Sequence, residues 1–362
     1  MTASPLAVAV EGKDLLNYGK AFSAAFLLAL VLTPLVRGYA QRREILDSPG
    51  GHKSHTETIP YLGGIAMLLS FVIAVAIGAL LNDATASHSE LVIVLGIASA
   101  LAVVGLLDDL RDLGPIVRLV CEIAAGIGLW QAEVRVEAFG AQWINAVVTV
   151  LWVVGIVNSI NLLDNMDGLS SGVTAIATAW IGVIATANGQ YLVAVLAAAL
   201  LGCSLGFLWH NFHPATIYMG DAGALFLGFM LAYLGLKLRF GGTASTTALV
   251  PIVVLMVPIF DTALVTISRV RHGRSPFLGG RDHVSHRLVQ MGLPVRVAVI
   301  LIYLAAIALG AGGYAISRLE ETPSYVVAGT VALIGGVVAY LLSHVDVYAD
   351  DTATRRADRN DD

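Results

Sequence analysis

The sequence predicts an all-α integral membrane protein that crosses the bilayer about eleven times. Hydrophobic residues make up 57% of the 362 residues and charged residues only 13%, whereas soluble domains carry roughly 25% charged residues. The apolar residues are grouped into segments of about 20, the length that an α-helix needs to cross the hydrocarbon core. The candidate spans are 18–38, 62–81, 90–107, 115–131, 142–160, 169–187, 190–209, 221–239, 246–267, 294–317 and 323–345.

One membrane domain is predicted over residues 1–345, followed by a charged tail over residues 346–362. The tail has no apolar run to bury, so we expect it to be disordered. Cys121 and Cys203 lie inside apolar segments and are expected to be free thiols rather than a disulfide or metal ligands. A net charge of -5 without a long basic run argues against a nucleic-acid partner.

The distribution of lysine and arginine predicts the orientation. Eleven crossings place the termini on opposite sides, and alternate loops then share a side. One set of loops, together with the C-terminal tail, carries 15 of the 21 Lys and Arg residues. The positive-inside rule makes this set cytoplasmic and the N-terminus external. Nearly every polar cluster falls in the same set, which indicates chemistry on one face, whereas a transporter would place ionisable groups near the midplane.

Asp108 and Asp109 end the third apolar segment. Carboxylates at the C-terminus of a helix oppose its dipole, so the stability of that helix does not explain them. Adjacent like charges at a membrane interface favour a shared proton or cation. With Asp112 they form a DDxxD string, the metal-diphosphate signature of prenyl-transferring enzymes. An intramembrane aromatic prenyltransferase is therefore one alternative.

A second polar run, residues 158–172, follows the fifth apolar segment. It places asparagine or aspartate at every third position, namely Asn158, Asn161, Asp164 and Asp167. Gly168 and the serines after it predict that one helix ends and another begins there. We expect Asp164 and Asp167 to face one cavity. A polar hinge is the alternative.

Two more acidic positions lie farther along the chain. Asp221 stands at the start of the eighth segment, ten residues after Asn211. Alone it would be expected to cap that helix, but the other acidic loops favour a metal ligand. Asp261 lies inside the ninth segment, where a carboxylate costs about 2.5–3.5 kcal/mol and should have a partner. A cation-coupled transporter using Asp261 and Asp164 is the non-enzyme alternative.

Two loops are basic. Lys53 and His55 lie in a Gly/Pro-bounded loop, and Arg281, His283 and His286 lie between the ninth and tenth segments. Zinc is disfavoured because no cysteine is near and no second histidine pair has suitable spacing. Guanidinium and imidazolium donors favour a phosphate or diphosphate, with a structural cationic loop as the alternative. The acidic loops favour Mg²⁺, which bridges carboxylates to substrate phosphates, and the many helices imply a lipid reactant.

Five motifs occur in order on alternate loops: Lys53-x-His55 with Ile59-Pro60 and Gly63-Gly64, the Asp108-Asp109 pair, NxxNxxDxxDGL from Asn158 to Leu169, Asn211 with PATIYMGD, and the HVSH loop. Together they resemble the polyprenyl-phosphate N-acetylhexosamine-1-phosphate transferases. The resemblance implies transfer of a sugar 1-phosphate from a cytoplasmic UDP-N-acetylhexosamine to polyprenyl phosphate at the inner cell membrane. It implies UMP as the second product and Mg²⁺ as the cofactor, with Mn²⁺ as a substitute.

The resemblance also implies roles for individual residues. Catalytic roles fall on Asp108, Asp109 and Asp164, the first two acting on polyprenyl phosphate. The metal would be held by Asp221 and Asn161. Substrate-binding roles fall on Lys53, His55, Asn158, Asp167, Asn211, Arg281, His283 and His286.

One departure from the family pattern bears on the sugar. Relatives that transfer phospho-N-acetylmuramoyl-pentapeptide have three consecutive histidines in the last loop, but here the stretch reads His283-Val-Ser-His286. This favours UDP-N-acetylglucosamine or a related sugar, with the pentapeptide transferases as an alternative. The sequence leaves the oligomeric state open, a homodimer included.

Overall fold

The structure is a computed structural model that describes residues 12–47, 58–81, 88–276 and 279–348. Lys53, His55 and the predicted tail from residue 349 lie outside the described residues. The helices are α1 Gly12–Arg42, α2 Gly63–Leu81, α3 His88–Arg111, α4 Pro115–Gln131, α5 Gln142–Leu163, α6 Leu169–Ala187, α7 Tyr191–Asn211, α8 Gly220–Lys237, α9 Ala244–Val254, α10 Met256–Arg271, α11 Val284–Gln290, α12 Val295–Ile316 and α13 Glu321–Ser343. Strands β1 (Leu46–Asp47) and β2 (Ile59–Pro60) form an antiparallel pair.

The prediction of an all-α polytopic membrane protein is confirmed. Within the described ranges, nine helices are long and apolar enough to cross a membrane, and the bent pair α9–α10 makes a tenth. Helix α4, with 17 residues, lies at the short end of the spanning range of about 17–25 residues. Large apolar side chains are exposed on the outer helices, as lipid-facing surfaces require, for example Leu333 and Tyr340 on α13. The count of eleven and the orientation stay predictions.

Helix α8 is the centre of the bundle. Every residue from Ala222 to Leu236 is buried, and α8 packs against α3, α5 and α2. A helix that is apolar on all sides is expected in such a surrounded position. The polar residues at its N-terminal end are therefore held in place by several neighbouring helices.

Glycines bring α2 and α3 very close to the N-terminal end of α8. A β-carbon on Gly64 would overlap the backbone of Gly223, and one on Gly105 would overlap the backbone of Asp221. Gly220 has φ +66° and lies against the Asp109 carboxylate. These close approaches place the end of α3, with its two aspartates, beside the start of α8.

The predicted continuous helix over 246–267 is wrong. The segment forms α9 and α10, which meet at Leu255 with a bend of 76°. Pro251 and Pro258 flank the break. The nitrogen of Pro258 cannot donate to the carbonyl four residues earlier, and its ring crowds that carbonyl, so a straight helix is disfavoured.

The predicted helix break near Gly168 is confirmed. Helix α5 ends at Leu163 and α6 begins at Leu169, with Gly168 at φ +75° in the left-handed region. The Tyr303 hydroxyl donates to the carbonyl of Gly168 at 2.5 Å, and this hydroxyl would overlap a β-carbon on Gly172. The turn is therefore fixed by a neighbouring helix, α12. The cysteines are free, as predicted; Cys203 is buried and Cys121 partly buried.

Candidate active site

Asp109 links the end of α3 to the start of α8. Its carboxylate accepts hydrogen bonds from the backbone N–H groups of Asp221 at 2.9 Å and Ala222 at 3.2 Å. These are N–H groups that a helix leaves without intrahelical partners, and the positive end of the α8 dipole favours a negative charge there. The carboxylate that opposes the dipole of its own helix therefore stabilises the neighbouring one.

Asp221 is the second residue of α8, and its side chain does not cap that helix. One carboxylate oxygen accepts from Nδ2 of Asn161 at 2.6 Å. The other accepts from Nη1 of Arg118 at 2.5 Å. The capping alternative for Asp221 is thus wrong, and the two predicted metal-binding residues are in direct contact.

Arg118 joins two of the predicted acidic residues. Its Nη1 lies 3.0 Å from Oδ2 of Asp108 as well as against Asp221. The second Asp108 oxygen accepts from the backbone N–H of Leu113 at 2.7 Å. Arg118 is absent from the predicted site because a cation near a helix end also satisfies the topology rule. The signal that could identify it is its i,i+4 spacing from Glu122 on a mostly apolar helix.

Glu122 and Asn158 form a second polar contact beside Arg118. Glu122 is buried in α4 and accepts a short hydrogen bond from Nδ2 of Asn158. The same amide donates to the carbonyl of Val154 at 2.9 Å. The predicted substrate-binding residue Asn158 is therefore engaged with a buried carboxylate that the prediction did not include.

Asp164 lies just beyond the end of α5, near the carboxylates of Asp221 and Asp109. Burial raises its pKa to about 8, and the charges of Asp221 and Asp109 contribute to the increase. A carboxyl group with this pKa holds a proton at neutral pH when no cation is nearby. Asp164 is thus available as a hydrogen-bond donor, or as a ligand once a cation favours its ionised form.

Asp167 has partners different from those of Asp164. Its Oδ2 accepts from Nδ1 of His213 at 2.7 Å and from the backbone N–H of Ala215 at 3.0 Å. His213 is held in turn by Arg296, whose Nε donates to its carbonyl at 2.9 Å. Asp167 therefore anchors the connection between α7 and α8, and His213 is a further polar residue absent from the prediction.

Asn211 is buried at the end of α7, and both ends of its amide are bonded. Oδ1 accepts from the backbone N–H of Gly168 at 3.1 Å and from Oγ of Ser171 at 3.2 Å, while Nδ2 donates to the carbonyl of Ile217 at 3.0 Å. Asn211 therefore joins the Gly168 turn to the segment that leads into α8.

The segment before α8 also contacts the connection between α1 and α2. Tyr218 donates its backbone N–H to the carbonyl of Pro60 at 2.8 Å and accepts from the N–H of Gly63 at 2.9 Å. Strands β1 and β2 flank residues 48–57, which include Lys53 and His55. The described ends of that loop thus lie close to the N-terminus of α8.

The last loop supplies the partner of Asp261. Its Oδ2 lies 2.7 Å from Nδ1 of His283, and its Oδ1 accepts from the backbone N–H of Val284 at 2.7 Å. Ser285 in the same loop donates to Oδ1 of Asn165 at 2.5 Å. The histidine loop is therefore bonded directly to the acidic loop between α5 and α6.

His286 lies beside His283, with ring centroids 6.2 Å apart. Burial lowers the pKa of His286 to about 4, with contributions from the positive charges of His283 and Arg281. His286 is therefore neutral at pH 7. Arg281 is exposed at the edge of the loop.

A buried ionic network holds the histidine loop in place. Arg269 donates to both oxygens of Asp282 at 2.8 Å, and Tyr348 donates to Oδ2 of Asp282 at 2.8 Å. Arg287, 1% exposed, donates to the carbonyls of Leu342 at 2.8 Å and of residue 345 at 3.2 Å. The loop is thus fixed to the C-terminal end of α13.

The donor set suits a hard cation and a phosphate group. Carboxylate and amide oxygens are the ligands that Mg²⁺ prefers, and guanidinium and imidazole groups donate to phosphate oxygens. In the described part of the chain, no three His, Cys, Asp or Glu side chains are arranged around one metal position. Arg118 is the cation that lies against Asp221 and Asp108 in this arrangement.

The fold and site define a polytopic membrane protein with a carboxylate- and amide-lined site at one end of its helix bundle. Residues 91–239, from α3 to just beyond α8, match glycosyl transferase family 4. Together with the relatives described below, this match shows that the chain belongs to that family.

Three relatives illustrate the similarity. A probable undecaprenyl-phosphate N-acetylglucosaminyl 1-phosphate transferase of Bacillus subtilis is 33% identical, over 78% of this chain and 80% of the relative. A decaprenyl-phosphate N-acetylglucosaminephosphotransferase of Mycobacterium leprae is 31% identical, over 90% of each chain. An undecaprenyl-phosphate alpha-N-acetylglucosaminyl 1-phosphate transferase of Escherichia coli K12 is 26% identical, over 86% of this chain and 88% of the relative.

Proposed function

We propose that the protein transfers N-acetylglucosamine 1-phosphate from UDP-N-acetylglucosamine to a polyprenyl phosphate and releases UMP. In this reaction an oxygen of the polyprenyl phosphate attacks the β-phosphorus of the nucleotide sugar. The bond from that phosphorus to the bridging oxygen breaks, and UMP leaves with the oxygen. The main support is a group of side chains in mutual contact at one end of the helix bundle, namely Asp108, Asp109, Arg118, Asn161 and Asp221. In addition, relatives of this chain are named for this activity.

The acceptor phosphate is proposed to bind at the Asp108–Arg118 pair. The guanidinium offers further donors that suit a phosphate. Asp108 is the better candidate for the base because its Oδ2 contacts only a side chain, that of Arg118, whereas both Asp109 oxygens are bonded to backbone amides of α8. Asp109 then acts by holding the start of α8, and with it Asp221, in place.

Magnesium is proposed as the cofactor, with Mn²⁺ as a substitute. Asp221 and Asn161 would hold it, with Asp164 beside them, because these residues supply the oxygen donors that a hard cation requires. When bound, the ion would neutralise charge on the phosphoryl group being transferred. Arg118 binds one of the two Asp221 oxygens, so the ion would share this carboxylate with the guanidinium or displace it.

The donor nucleotide is proposed to bind along the remaining loops. Asp167, Asn211, Asn158 and Lys53 are assigned to the uridine side, with Asn211 and Asn158 acting through the loops that they hold. His283, His286, Arg281 and His55 are assigned to the diphosphate and sugar. The hydrogen bond from Ser285 to Asn165 supports this arrangement because it brings the histidine loop against the acidic loop.

We further propose that the protein lies in the inner cell membrane with this site on the cytoplasmic face. The support is that 15 of the 21 Lys and Arg residues fall in the loops and tail that the predicted topology places on the same side as the site.

The test is an assay of purified protein with undecaprenyl phosphate, Mg²⁺ and a panel of UDP-N-acetylhexosamines. The proposal predicts UMP and a lipid-linked sugar, with UDP-N-acetylglucosamine the best donor. Asp221→Asn should abolish turnover without unfolding, whereas Asp112→Asn, which changes the exposed residue directly after α3, should leave it near normal. No UMP with any donor would reject the proposal. Equal loss in both variants would show that Asp112 is required as well, so that the whole DDxxD string takes part.

A further inference from the structure

Asp261 and His283 form a buried pair that the proposed metal and acceptor sites do not explain. Asp261 lies in α10, soon after the break at Leu255, and is 2% exposed, while His283 is 4% exposed. A buried carboxylate in a membrane protein is costly unless it is paired and hydrogen-bonded. Both Asp261 oxygens are used, one by the imidazole and one by the backbone N–H of Val284.

This arrangement fixes the orientation of the His283 ring. A carboxylate only accepts, so the Nδ1–H of His283 donates to Asp261. Nε2 lies on the opposite side of the ring and makes no hydrogen bond to the described residues. The second Asp261 oxygen holds the first residue of α11, so one carboxylate sets both the ring and the backbone that carries it.

The ring lies on the side of the bundle that carries the acidic loop. Ser285, two residues on, is bonded to Asn165, and Val284 packs on the small apolar cluster that contains Leu163 and Leu169. The segment that holds His283 is thus bonded to the loop that carries Asp164 and Asp167, and it packs on the apolar cluster that contains the residues flanking that loop.

We propose that Asp261 is a positioning residue for the donor: it orients His283 so that Nε2–H binds the diphosphate of the nucleotide sugar. The Asp261 carboxylate orients the ring and would stabilise positive charge on it when it donates to the diphosphate, as the carboxylate of a catalytic triad does for its histidine. This inference rests on the proposed function. The competing explanation is that Asp261 only caps α11, a purely structural role.

The test compares ligands with and without a diphosphate. In Asp261→Asn the amide oxygen still accepts from Val284, but the charge that balances His283 is gone. We expect the dissociation constant for UDP to rise about tenfold or more, the usual scale for removing such a partner, while that for uridine changes less than about twofold. A purely structural role would weaken UDP and uridine binding alike, and unchanged UDP binding would overturn the inference.

A matched control lies next in the chain. Oγ1 of Thr262 is buried and has no hydrogen-bond partner among the described residues, so Thr262→Val removes a polar atom at a neighbouring site without breaking a described contact. This variant should bind UDP like the wild type. If it weakens UDP binding as much as Asp261→Asn does, the effect belongs to α10 in general and the inference is rejected.

A double-mutant cycle tests whether Asp261 acts through His283. In the His283→Ala background, Asp261→Asn should cause no further loss of UDP binding, because the group that it orients is absent. It should also raise the melting temperature in detergent, since it removes a buried charge that has lost its partner. Independent, multiplicative losses would contradict the proposal.

If Asp261→Asn alone folds too poorly for binding measurements, the melting temperatures of the single and double variants still test whether Asp261 acts through His283. Failure of the proposed function gives a different result: wild-type protein would bind neither UDP nor UDP-N-acetylglucosamine and release no UMP. If the wild type binds UDP but the effects of Asp261→Asn and His283→Ala are independent, only the proposed role of Asp261 is rejected.

Discussion

Arg118 sets the charge balance among the acidic side chains at the start of α8. Asp108 and Asp221 are close neighbours whose negative charges would repel each other, and Nη1 of Arg118 contacts both carboxylates. An arginine cannot lose its charge under ordinary conditions. It can therefore hold the acidic residues together without a divalent cation, and it would compete with one for the same oxygens.

Replacing this arginine should make the acidic residues bind metal more tightly. In Arg118→Gln the carboxylates of Asp108 and Asp221 lose their internal cation, so Mn²⁺ affinity measured by electron paramagnetic resonance without substrates should increase severalfold. Arg111→Gln, an exposed change in the last turn of α3, is the control and should leave the affinity unchanged. Weaker Mn²⁺ binding in Arg118→Gln would show that the arginine supports the metal site rather than competes with it.

His286 should make the protein sensitive to acid. Its pKa falls from 6.5 to about 4, chiefly through burial and then through His283 and Arg281. Between these two values the unfolded chain binds more protons than the folded chain. The contribution of His286 to stability is therefore full above pH 6.5 and is lost as the pH falls toward 4.

Melting temperatures in detergent measure this effect. The wild type and His286→Asn should differ little in pH dependence above pH 7, but between pH 6.5 and 5 the variant should lose less stability. His344→Asn changes an exposed histidine at the end of α13 and should follow the wild-type curve. An identical pH dependence of the melting temperature in His286→Asn and the wild type would contradict the effect of burial on the pKa of His286.

At the residue scale, types and order of polar residues predict part of the site. Asp108, Asp109, Asn161 and Asp221 are predicted as one group. Hydrogen bonds join Asp109 and Asn161 to Asp221, and Arg118 contacts both Asp108 and Asp221. Glu122 and His213 could not be predicted in the same way. Their partners lie 36 and 46 positions away in the sequence, and only the packing of the helices brings them together.

At the element scale, the close packing of α3 on α8 determines where the aspartates stand. A β-carbon at Gly105 would overlap the backbone of Asp221, whereas one at Gly96, nine residues earlier in the same helix, would have no described atom within 4 Å. Both glycines lie in α3, but only Gly105 lies against the backbone of α8.

This contrast gives a paired prediction. Gly105→Ala should destabilise the protein by about 1–3 kcal/mol, the scale of overpacking, and should reduce activity because α8 must move. Gly96→Ala should be neutral or stabilising by about 0.5–1 kcal/mol, since alanine favours the helix. Melting temperature and turnover in detergent check both variants, and equal effects would mean that the contact with α8 is not limiting.

Helix type and most helix positions follow from length and hydrophobicity, as in α6, whose predicted and observed limits agree. The break at Leu255 does not follow, because the segment is apolar on both sides and hydropathy averages over a bend. Two prolines seven residues apart indicate a kink without giving its angle of 76°. That angle depends on how α9 and α10 pack against α12 and α5.

At the scale of the whole molecule, the C-terminal end of α13 and the residues after it hold the histidine loop. Arg287 is buried and donates to carbonyls of residues 342 and 345, and Tyr348 donates to Asp282. The last described residues of the chain are therefore part of the scaffold for the loop, not an appendage.

Truncations should separate this scaffold from the remaining tail. A chain ending after Tyr348 should keep the wild-type melting temperature. A chain ending after Ser343 removes two of these contacts and leaves buried donors and acceptors without partners, each at a cost of about 1–3 kcal/mol. Equal stability of both truncations in detergent would remove the supporting role of residues 344–348.

The most direct measurement of the proposed reaction follows the β-phosphorus of the donor. With UDP-N-acetylglucosamine labelled with ³²P at the β-position and polyprenyl phosphate as acceptor, transfer of sugar 1-phosphate places the label in the lipid fraction and releases unlabelled UMP. Simple transfer of the sugar would leave the label in soluble UDP. Transfer of sugar 1-phosphate predicts lipid-bound label in a one-to-one ratio with UMP, and label recovered as UDP would contradict this reaction.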